Sequence, residues 1–267
     1  MRPVLLVIIA VSAAYAGPFA PPVGQPGTTA IYKSDPTIVG WATTVTGTLR
    51  GPTNISDPNS LPASQGAESE VLGPANADIS DSFNVLSLGD GGKITVGFDK
   101  PIANGPGPDF AVFENSINNT FLELAFVEVS SDGGNFFRFP AISLTPTAMQ
   151  VGTFGSIDAT NIYNLAGKYS RGYGTPFDLA ELVGIPGLDL QNINYVRMVD
   201  VVGSIDPAYA TYDSQGHKVN DPWPTDFDTG GFDLDAVAVL HQAVPEPGCA
   251  TLFLLGGAML IRRRRAH

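Results

Sequence analysis

The sequence contains little cysteine, little histidine and few basic side chains. Its 267 residues include one cysteine, Cys249, and three histidines, at positions 217, 241 and 267. A single cysteine rules out an internal disulfide bond. The histidines are far apart in sequence, no Gly-x-Ser-x-Gly motif is present, and residues 17–243 hold no cysteine nucleophile. These absences argue against the common hydrolase arrangements, and we expect a protein that is not an enzyme.

Basic residues are scarce in residues 17–243, the part of the chain between the two end segments. The chain has 14 lysines and arginines against 26 aspartates and glutamates, for a net charge of −12. Five of the basic residues (Arg2 and the arginines at 262–265) and one acid, Glu246, lie near the chain ends, which leaves nine basic and 25 acidic side chains in residues 17–243. Such a body repels phosphate groups and attracts cations. We therefore expect no binding of nucleic acid.

Long apolar runs are also few, and the first lies at the N-terminus. Arg2 is followed by the apolar stretch Val4–Ala14 and by the small-x-small triplet that ends at Ala16. This order is typical of a secretory signal peptide. The apolar stretch is shorter than the roughly 20 residues that span a bilayer. Residues 1–16 are therefore predicted to be a signal peptide, and we expect the mature chain to begin near Gly17.

The second apolar run closes the chain. A Pro-Glu-Pro triplet at 245–247 precedes an uncharged, mostly apolar segment at 248–261, and four arginines follow at once. Arginines beside an apolar segment favour the cytoplasmic side of a membrane. Fourteen helical residues rise about 21 Å, against a hydrocarbon thickness of roughly 30 Å. We therefore expect one short apolar helix that suits a temporary membrane anchor.

Residues 244–267 resemble a PEP-CTERM sorting signal. The resemblance rests on the triplet, the short apolar helix and the terminal arginine cluster: Pro245, Glu246, Pro247, Arg262, Arg263, Arg264 and Arg265. It implies recognition by exosortase, a membrane enzyme with a cysteine nucleophile, in bacteria that make exopolysaccharide. It further implies an inner-membrane intermediate and delivery to the cell surface, the outer envelope or the extracellular matrix.

Between the two end segments, two-residue alternation predicts strands and Gly- and Pro-rich clusters predict turns. Residues 17–35 are predicted to be a flexible leader, and residues 36–243 are predicted to form one β-rich domain. The predicted strands lie near residues 94–98, 110–114, 122–130, 136–139, 195–202 and 232–240. One short helix is predicted, with Thr175 as cap, Pro176 at its first position, and an inward stripe of Leu179, Leu182 and Val183.

Many short strands with such turns predict an all-β fold, a sandwich of jelly-roll type. Residues 88–115 and 230–237 also resemble β-sandwich domains of other PEP-CTERM cell-surface proteins. That resemblance implies an architecture similar to the galactose-binding-like jelly roll.

Several acids fall on strand faces that are otherwise apolar. Glu114, Asp200 and Asp235 each alternate with apolar residues, and a carboxylate that faces a core is costly unless it is paired or metal-bound. With Asp109 and Asp233 they predict one structural calcium site, because calcium prefers six to eight oxygen ligands. Two alternatives remain open: the acids reach solvent at the strand ends, or one of them pairs with an arginine, Arg138 or Arg197. The turn that begins at Asp213 lacks the spacing of an EF-hand and is predicted to be a plain Asp-initiated turn.

The loop 204–231 carries three aromatic residues, Tyr209, Tyr212 and Trp223. Exposed rings of this kind can stack on the apolar faces of sugars, whereas a Trp223 that folds back would simply attach the loop to the sandwich. We expect a structural or adhesive role at the cell envelope. The alternatives are a carbohydrate-binding module for exopolysaccharide and a glycoside-active enzyme with paired carboxylates.

Overall fold

A computed structural model describes residues 17–77 and 83–243. The signal peptide and the sorting tail predicted from the sequence lie outside these residues. Within them the chain is all-β, as predicted: every helical segment is a single 3₁₀ turn, and every strand pair is antiparallel. None of the helices in this part of the chain has the length and hydropathy that a bilayer crossing requires.

Thirteen strands are present in the described residues. In chain order they are β1 (Ile31–Tyr32), β2 (Gly40–Trp41), β3 (Thr44–Leu49), β4 (Leu86–Ser87), β5 (Lys93–Ile102), β6 (Phe110–Glu114), β7 (Ala125–Ser130), β8 (Phe137–Arg138), β9 (Ile142–Ser143), β10 (Ile162–Tyr163), β11 (Tyr173–Phe177), β12 (Ile193–Asp200) and β13 (Asp233–Val239). Each stretch in which the sequence predicted a strand contains one.

The strands form two larger sheets and one small pair. One sheet has the order β1-β11-β6-β13-β2, with β4 also pairing β13, and the other has the order β3-β5-β12-β7-β8. Strands β9 and β10 form the pair. Strands β7 and β8 form a hairpin across residues 131–136, whereas the other neighbouring strands of the two larger sheets are distant in sequence and their pairings close long loops.

The two larger sheets share one hydrophobic core, as in a β-sandwich. Its buried side chains come from alternate positions of both sheets, for example Phe110, Val112, Val237 and Val239 from the first, and Ile94, Val96, Val127, Val129, Val196 and Met198 from the second. The alternation is the two-residue period of an extended strand. The first sheet is also covered on its other face, where Trp41 packs against Phe113 with ring centroids 5.5 Å apart.

The predicted helix is shorter than expected and begins later. Thr175 and Pro176 lie inside strand β11, and Thr175 pairs with Val112 of β6. A single 3₁₀ turn follows at Leu179–Leu182, where the Asp178 side chain accepts a hydrogen bond from the Ala180 N–H. The difference has a physical reason. Asp178 caps the turn with its side chain, and the residues before it pair with strand β6.

The leader predicted at residues 17–35 is attached to the domain. Strand β1 pairs with β11 and thereby forms an edge of the first sheet. The Gly17 N–H donates to the Thr160 hydroxyl at 2.6 Å. The sheet therefore begins before residue 36, which was the predicted start of the domain.

A β-bulge displaces Asp235 from its expected face. The register of β13 against β6 shifts between Leu234 and Ala236, so that Leu234 pairs with Glu114 and Ala236 with Phe113. The extra residue reverses the alternation beyond this point. Leu234, and not Asp235, therefore joins Val237 in the shared core.

Candidate metal centre

Three buried carboxylates meet at one end of the sandwich. Glu114, Glu123 and Asp233 each offer a carboxylate oxygen, and these oxygens all lie within 4.8 Å of one another. We call these three residues the acidic triad. Their residues are at most 7% exposed.

The fold itself brings the triad together. Glu114 is the last residue of β6 and Asp233 the first of β13, and these antiparallel neighbours place those two ends side by side. Glu123 lies just before β7, which belongs to the other sheet. The triad therefore joins the two layers of the sandwich.

The three carboxylates differ in their hydrogen bonds. One oxygen of Asp233 accepts from the Ser87 hydroxyl, and the other accepts from Asn115 Nδ2 at 3.1 Å. Glu114 Oε2 accepts from the Ser116 N–H at 2.8 Å. Glu114 Oε1 is buried and has no hydrogen-bond partner in the part of the chain that the structure describes. A buried, unsatisfied carboxylate oxygen is costly unless a cation or a proton meets it.

Burial raises the pKa values of the triad's carboxyl groups, and mutual repulsion raises those of Glu114 and Glu123 further. Burial raises the pKa of Glu114 well above its ordinary value, and the nearby Asp233 raises it further. Burial likewise raises the pKa of Glu123, with Asp233 and Glu114 adding to the effect. Burial raises the pKa of Asp233 to about 7, although its hydrogen bonds with Ser87 and Asn115 oppose the rise. Like charges this close favour the protonated form unless a cation compensates them.

Neighbouring acids increase the negative potential. Asp221 and Asp200 also raise the pKa of Glu123. The charge of Arg50 compensates part of this potential, since it lowers the pKa of Asp233. Its guanidinium donates to the backbone carbonyls of Gln65, Gly66 and Ser87. None of the ion pairs found in residues 17–77 and 83–243 involves a member of the triad.

Of the five predicted ligands, the structure brings Glu114 and Asp233 into the triad. Asp109 lies before the opposite end of β6, roughly 16 Å from Glu114 along the strand. Its carboxylate accepts from the N–H groups of Gly105 and Leu179, each at 2.7 Å, and lies 2.9 Å from His241 Nδ1. Through these contacts Asp109 holds together the segments that contain Gly105, Leu179 and His241.

Asp200 and Asp235 lie nearer the triad but hold backbone groups. Asp200 accepts from the N–H groups of Phe232 at 2.7 Å and Gly91 at 2.8 Å. Asp235, displaced by the bulge, accepts from Asn76 at 3.0 Å and Ala77 at 3.3 Å through the same oxygen. Its other oxygen is buried with no hydrogen-bond partner among the described residues. Both aspartates contribute charge to the site without belonging to the triad.

The two arginines considered as partners bind a different acid. Arg138 approaches Glu128 at 2.8 Å and Arg197 approaches it at 3.6 Å. These pairs are on the outer face of the second sheet, where Glu128 and Arg138 are paired neighbours. Asp213 accepts from the N–H groups of Gln215 and His217, which confirms the predicted Asp-initiated turn.

A pocket of about 190 Å³ opens beside the triad. Glu123 and Asp233 are part of its lining, together with the phenyl rings of Phe121, Phe154 and Phe227. Phe154 is 76% exposed and stacks on Phe227, with ring centroids 5.6 Å apart. Carboxylates and exposed rings thus share one opening.

The aromatic residues predicted to bind sugar lie elsewhere. Trp223 Nε1 donates to Asp90 Oδ2 at 3.1 Å, and Tyr209 stacks on the indole at a centroid distance of 6.3 Å. The loop is held by this folded-back indole, which was the alternative interpretation. Tyr212 is exposed and pairs with Lys218 in an isolated bridge.

Glu123 is the member of the acidic triad that the sequence reasoning missed. It lies on the same alternating face as Ala125, Val127 and Val129, which are core residues. The argument that identified Glu114, an acid on an apolar face, applies equally to Glu123. The signal is present in the sequence, within the predicted strand at residues 122–130.

Comparison with protein-family models and with curated proteins gives no match for this chain.

Proposed function

We propose that this chain is an exported cell-envelope protein whose sandwich binds one calcium ion at the acidic triad and has a structural or adhesive role. The observation that carries the proposal is the buried triad itself, in which Glu114 Oε1 has no hydrogen-bond partner in the described part of the chain. A cation at this point would satisfy that oxygen and remove the repulsion among the three carboxylates.

The donor set favours calcium among the common ions. All three side chains offer only oxygen, which hard cations prefer, and no histidine or cysteine belongs to the triad. Calcium takes six to eight oxygens at 2.3–2.6 Å and tolerates irregular geometry, whereas magnesium requires a near-ideal octahedron. Three carboxylates supply between three and six of the oxygens, depending on whether each binds through one atom or two.

A structural ion fits the chemistry of the chain. Residues 17–243 contain no cysteine, so this domain has no disulfide bond to stabilise it outside the cell. A calcium ion at the triad would tie the two sheets together, because Glu114 ends β6 of the first sheet and Glu123 leads into β7 of the second. Since the ion binds the folded state, it adds directly to the free energy of unfolding.

Export and sorting belong to the same proposal. The predicted signal peptide and the resemblance of residues 244–267 to a PEP-CTERM signal support passage through the inner membrane, processing by an exosortase-type enzyme and presentation at the surface. The shared core of two antiparallel sheets supports the jelly-roll, galactose-binding-like architecture that we propose for the body.

A glycoside-active enzyme is the less favoured alternative. Glu123 and Asp233 do share a pocket. Retaining glycosidases hold two carboxyl groups about 5–5.5 Å apart, with one of them free to act as nucleophile. Here the acid nearest to both is a third carboxylate, Glu114, and Asp233 is engaged by Ser87 and Asn115. This arrangement resembles a cation site more than a catalytic pair.

Thermal unfolding of the purified full-length protein tests the proposal. Calcium at about 100 times its Kd should add about 2.7 kcal/mol to the free energy of unfolding. For a domain of this size the melting temperature then rises by about 5 to 10 °C over the value in excess EGTA. Magnesium should give a much smaller rise, and calorimetric titration should give one calcium per chain.

Two variants locate the ion. Asp233→Asn should abolish the calcium-dependent rise in melting temperature, because it removes a ligand charge. Asp228→Asn is the matched control, since Asp228 lies in the same loop region but is exposed and outside the triad. Equal melting temperatures in calcium and EGTA, with no heat of binding, would overturn the proposal and identify the triad as a cluster of protonated acids.

A further inference from the structure

The pocket beside the triad has a wall of exposed phenyl rings. Phe154 and Phe227 are 76% and 43% exposed, and their rings stack at 5.6 Å. Phe121 extends the row, with its ring centroid 6.2 Å from that of Phe154. Stacked rings present a flat apolar surface with electron-rich faces, which attract the C–H groups of a ligand.

Two members of the triad also line this pocket. Glu123 and Asp233 line the pocket, whereas Glu114 is not part of the lining and is only 1% exposed. An ion bound by all three would therefore have Glu114 behind it and the pocket in front. The coordination positions that the protein leaves over would face the pocket, where ligand oxygens or water can complete the shell.

The charge of the site selects a neutral ligand. Three carboxylates and one calcium ion leave the bound site with a net negative charge, and Asp200 and Asp221 add to the local potential. An anionic ligand would meet this potential at close range. Hydroxyl groups can bind calcium without adding charge.

The size of the pocket selects a single ring. Its volume of about 190 Å³ is below the roughly 300 Å³ at which sites for drug-sized ligands begin. A pyranose unit has neighbouring hydroxyls at one edge and an apolar ring face. It therefore matches a pocket lined by both carboxylates and phenyl rings. The apolar face of such a ring would lie on Phe154 while the hydroxyls reach the ion.

We infer that this pocket is a calcium-dependent binding site for one neutral hexose unit, which coordinates the ion through a vicinal pair of hydroxyls and stacks on Phe154. The inference rests on the proposed calcium site and names the ligand class of that site. It also moves sugar recognition away from Tyr209, Tyr212 and Trp223 to the phenyl-lined pocket.

Calorimetric titration with simple glycosides tests this. Methyl α-glucoside, methyl α-galactoside and methyl α-mannoside are titrated into the full-length protein in calcium and again in excess EGTA. At least one should bind in calcium, and none should bind in EGTA. The methyl glycoside of glucuronic acid should bind more weakly than its neutral parent because of the site's charge.

Three variants distinguish the contribution of the phenyl rings from that of the carboxylates. Phe154→Ala should weaken sugar binding about tenfold while the calcium affinity and melting temperature stay unchanged, because the ring is exposed and outside the triad. Tyr212→Ala, an exposed aromatic residue outside the pocket, is the matched control and should leave sugar affinity unchanged. Asp233→Asn should abolish binding of both calcium and sugar.

The outcomes distinguish the two proposals. Calcium binding without binding of any of the three glycosides overturns the sugar inference and leaves the calcium site intact. Failure to bind calcium overturns both. Sugar binding that persists in EGTA, that is lost in Tyr212→Ala, or that ends in hydrolysis of the glycoside also overturns the inference.

Discussion

Glu114 ends β6 of one sheet and Glu123 lies two residues before β7 of the other, yet their carboxylate oxygens lie within 4.8 Å of each other. Neither side chain forms an ion pair in residues 17–77 and 83–243. The contact between the two layers is therefore repulsive when both groups are ionised and attractive when a cation lies between them. The stability of the domain should depend on the ion and on pH through this contact.

The first prediction concerns pH in the absence of calcium. Burial raises the pKa of Asp233 to about 7 and raises those of Glu114 and Glu123 above their ordinary values. The folded state then binds more protons than the unfolded state, so this contribution to stability is full at low pH and is lost as pH rises. In EGTA the free energy of unfolding should fall between about pH 4 and about pH 8, by a few kcal/mol.

Urea denaturation at stepped pH values measures this dependence. Calcium should flatten or reverse the trend, because it binds the ionised triad and its affinity grows as protons leave. A free energy of unfolding in EGTA that stays constant over this range would contradict the assigned pKa shifts.

The second prediction is that Glu114→Gln has opposite effects in the two conditions. In EGTA near pH 8 the variant should be more stable than the native chain by about 1 to 3 kcal/mol, since it replaces a buried, partnerless carboxylate oxygen with a neutral amide. In saturating calcium it should be less stable than the native chain, because the ligand charge is lost. Chemical denaturation in both buffers checks the sign change, and the same sign in both would contradict it.

The third prediction distinguishes Asp109 from the proposed metal ligands. Asp109→Asn leaves one of the groups from Gly105, Leu179 and His241 without an acceptor. The free energy of unfolding should fall by about 2 kcal/mol, which corresponds to a melting temperature about 4 to 8 °C lower. Calcium affinity measured by calorimetry should be unchanged, and a reduced affinity would place Asp109 in the ion's coordination shell.

The fourth prediction concerns the folded-back indole. Trp223→Phe removes the indole donor to Asp90 Oδ2, which still accepts from the Ile55 N–H. The expected cost is about 1.5 kcal/mol in the free energy of unfolding. Binding of the methyl glycosides should not change. Loss of sugar binding without loss of stability would restore the loop as the recognition site.

The strands could be predicted from the sequence because their signal is local. Ile94, Val96 and Phe98 alternate within one segment, and so do Val196 and Met198. The acids on apolar faces were visible in the same way, which is how Glu114 was found. An acidic residue at a position that the alternation assigns to the core is visible without any knowledge of the strand pairing.

The composition of the triad could not be predicted, because it depends on the pairing between distant strands. Asp233 meets Glu114 through the register of β13 on β6, and the bulge after Leu234 moves Asp235 away from the core face. A shift of one residue exchanges the two faces of a strand, and no pattern in β13 marks the extra residue. Asp109 is a different case, because it immediately precedes the strand that Glu114 ends, and the length of that strand alone separates the two acids.

The edges of the sheets bear on how the protein behaves at high local concentration. Strands β1 and β2 lie at the two ends of the first sheet's order and contain only two residues each. In the second sheet β8 is equally short, and the longer edge strand β3 has an irregularity between Val45 and Gly47. Short or bulged edges offer few consecutive backbone groups to an incoming chain. Copies of the chain at high concentration therefore have little opportunity to join by strand addition.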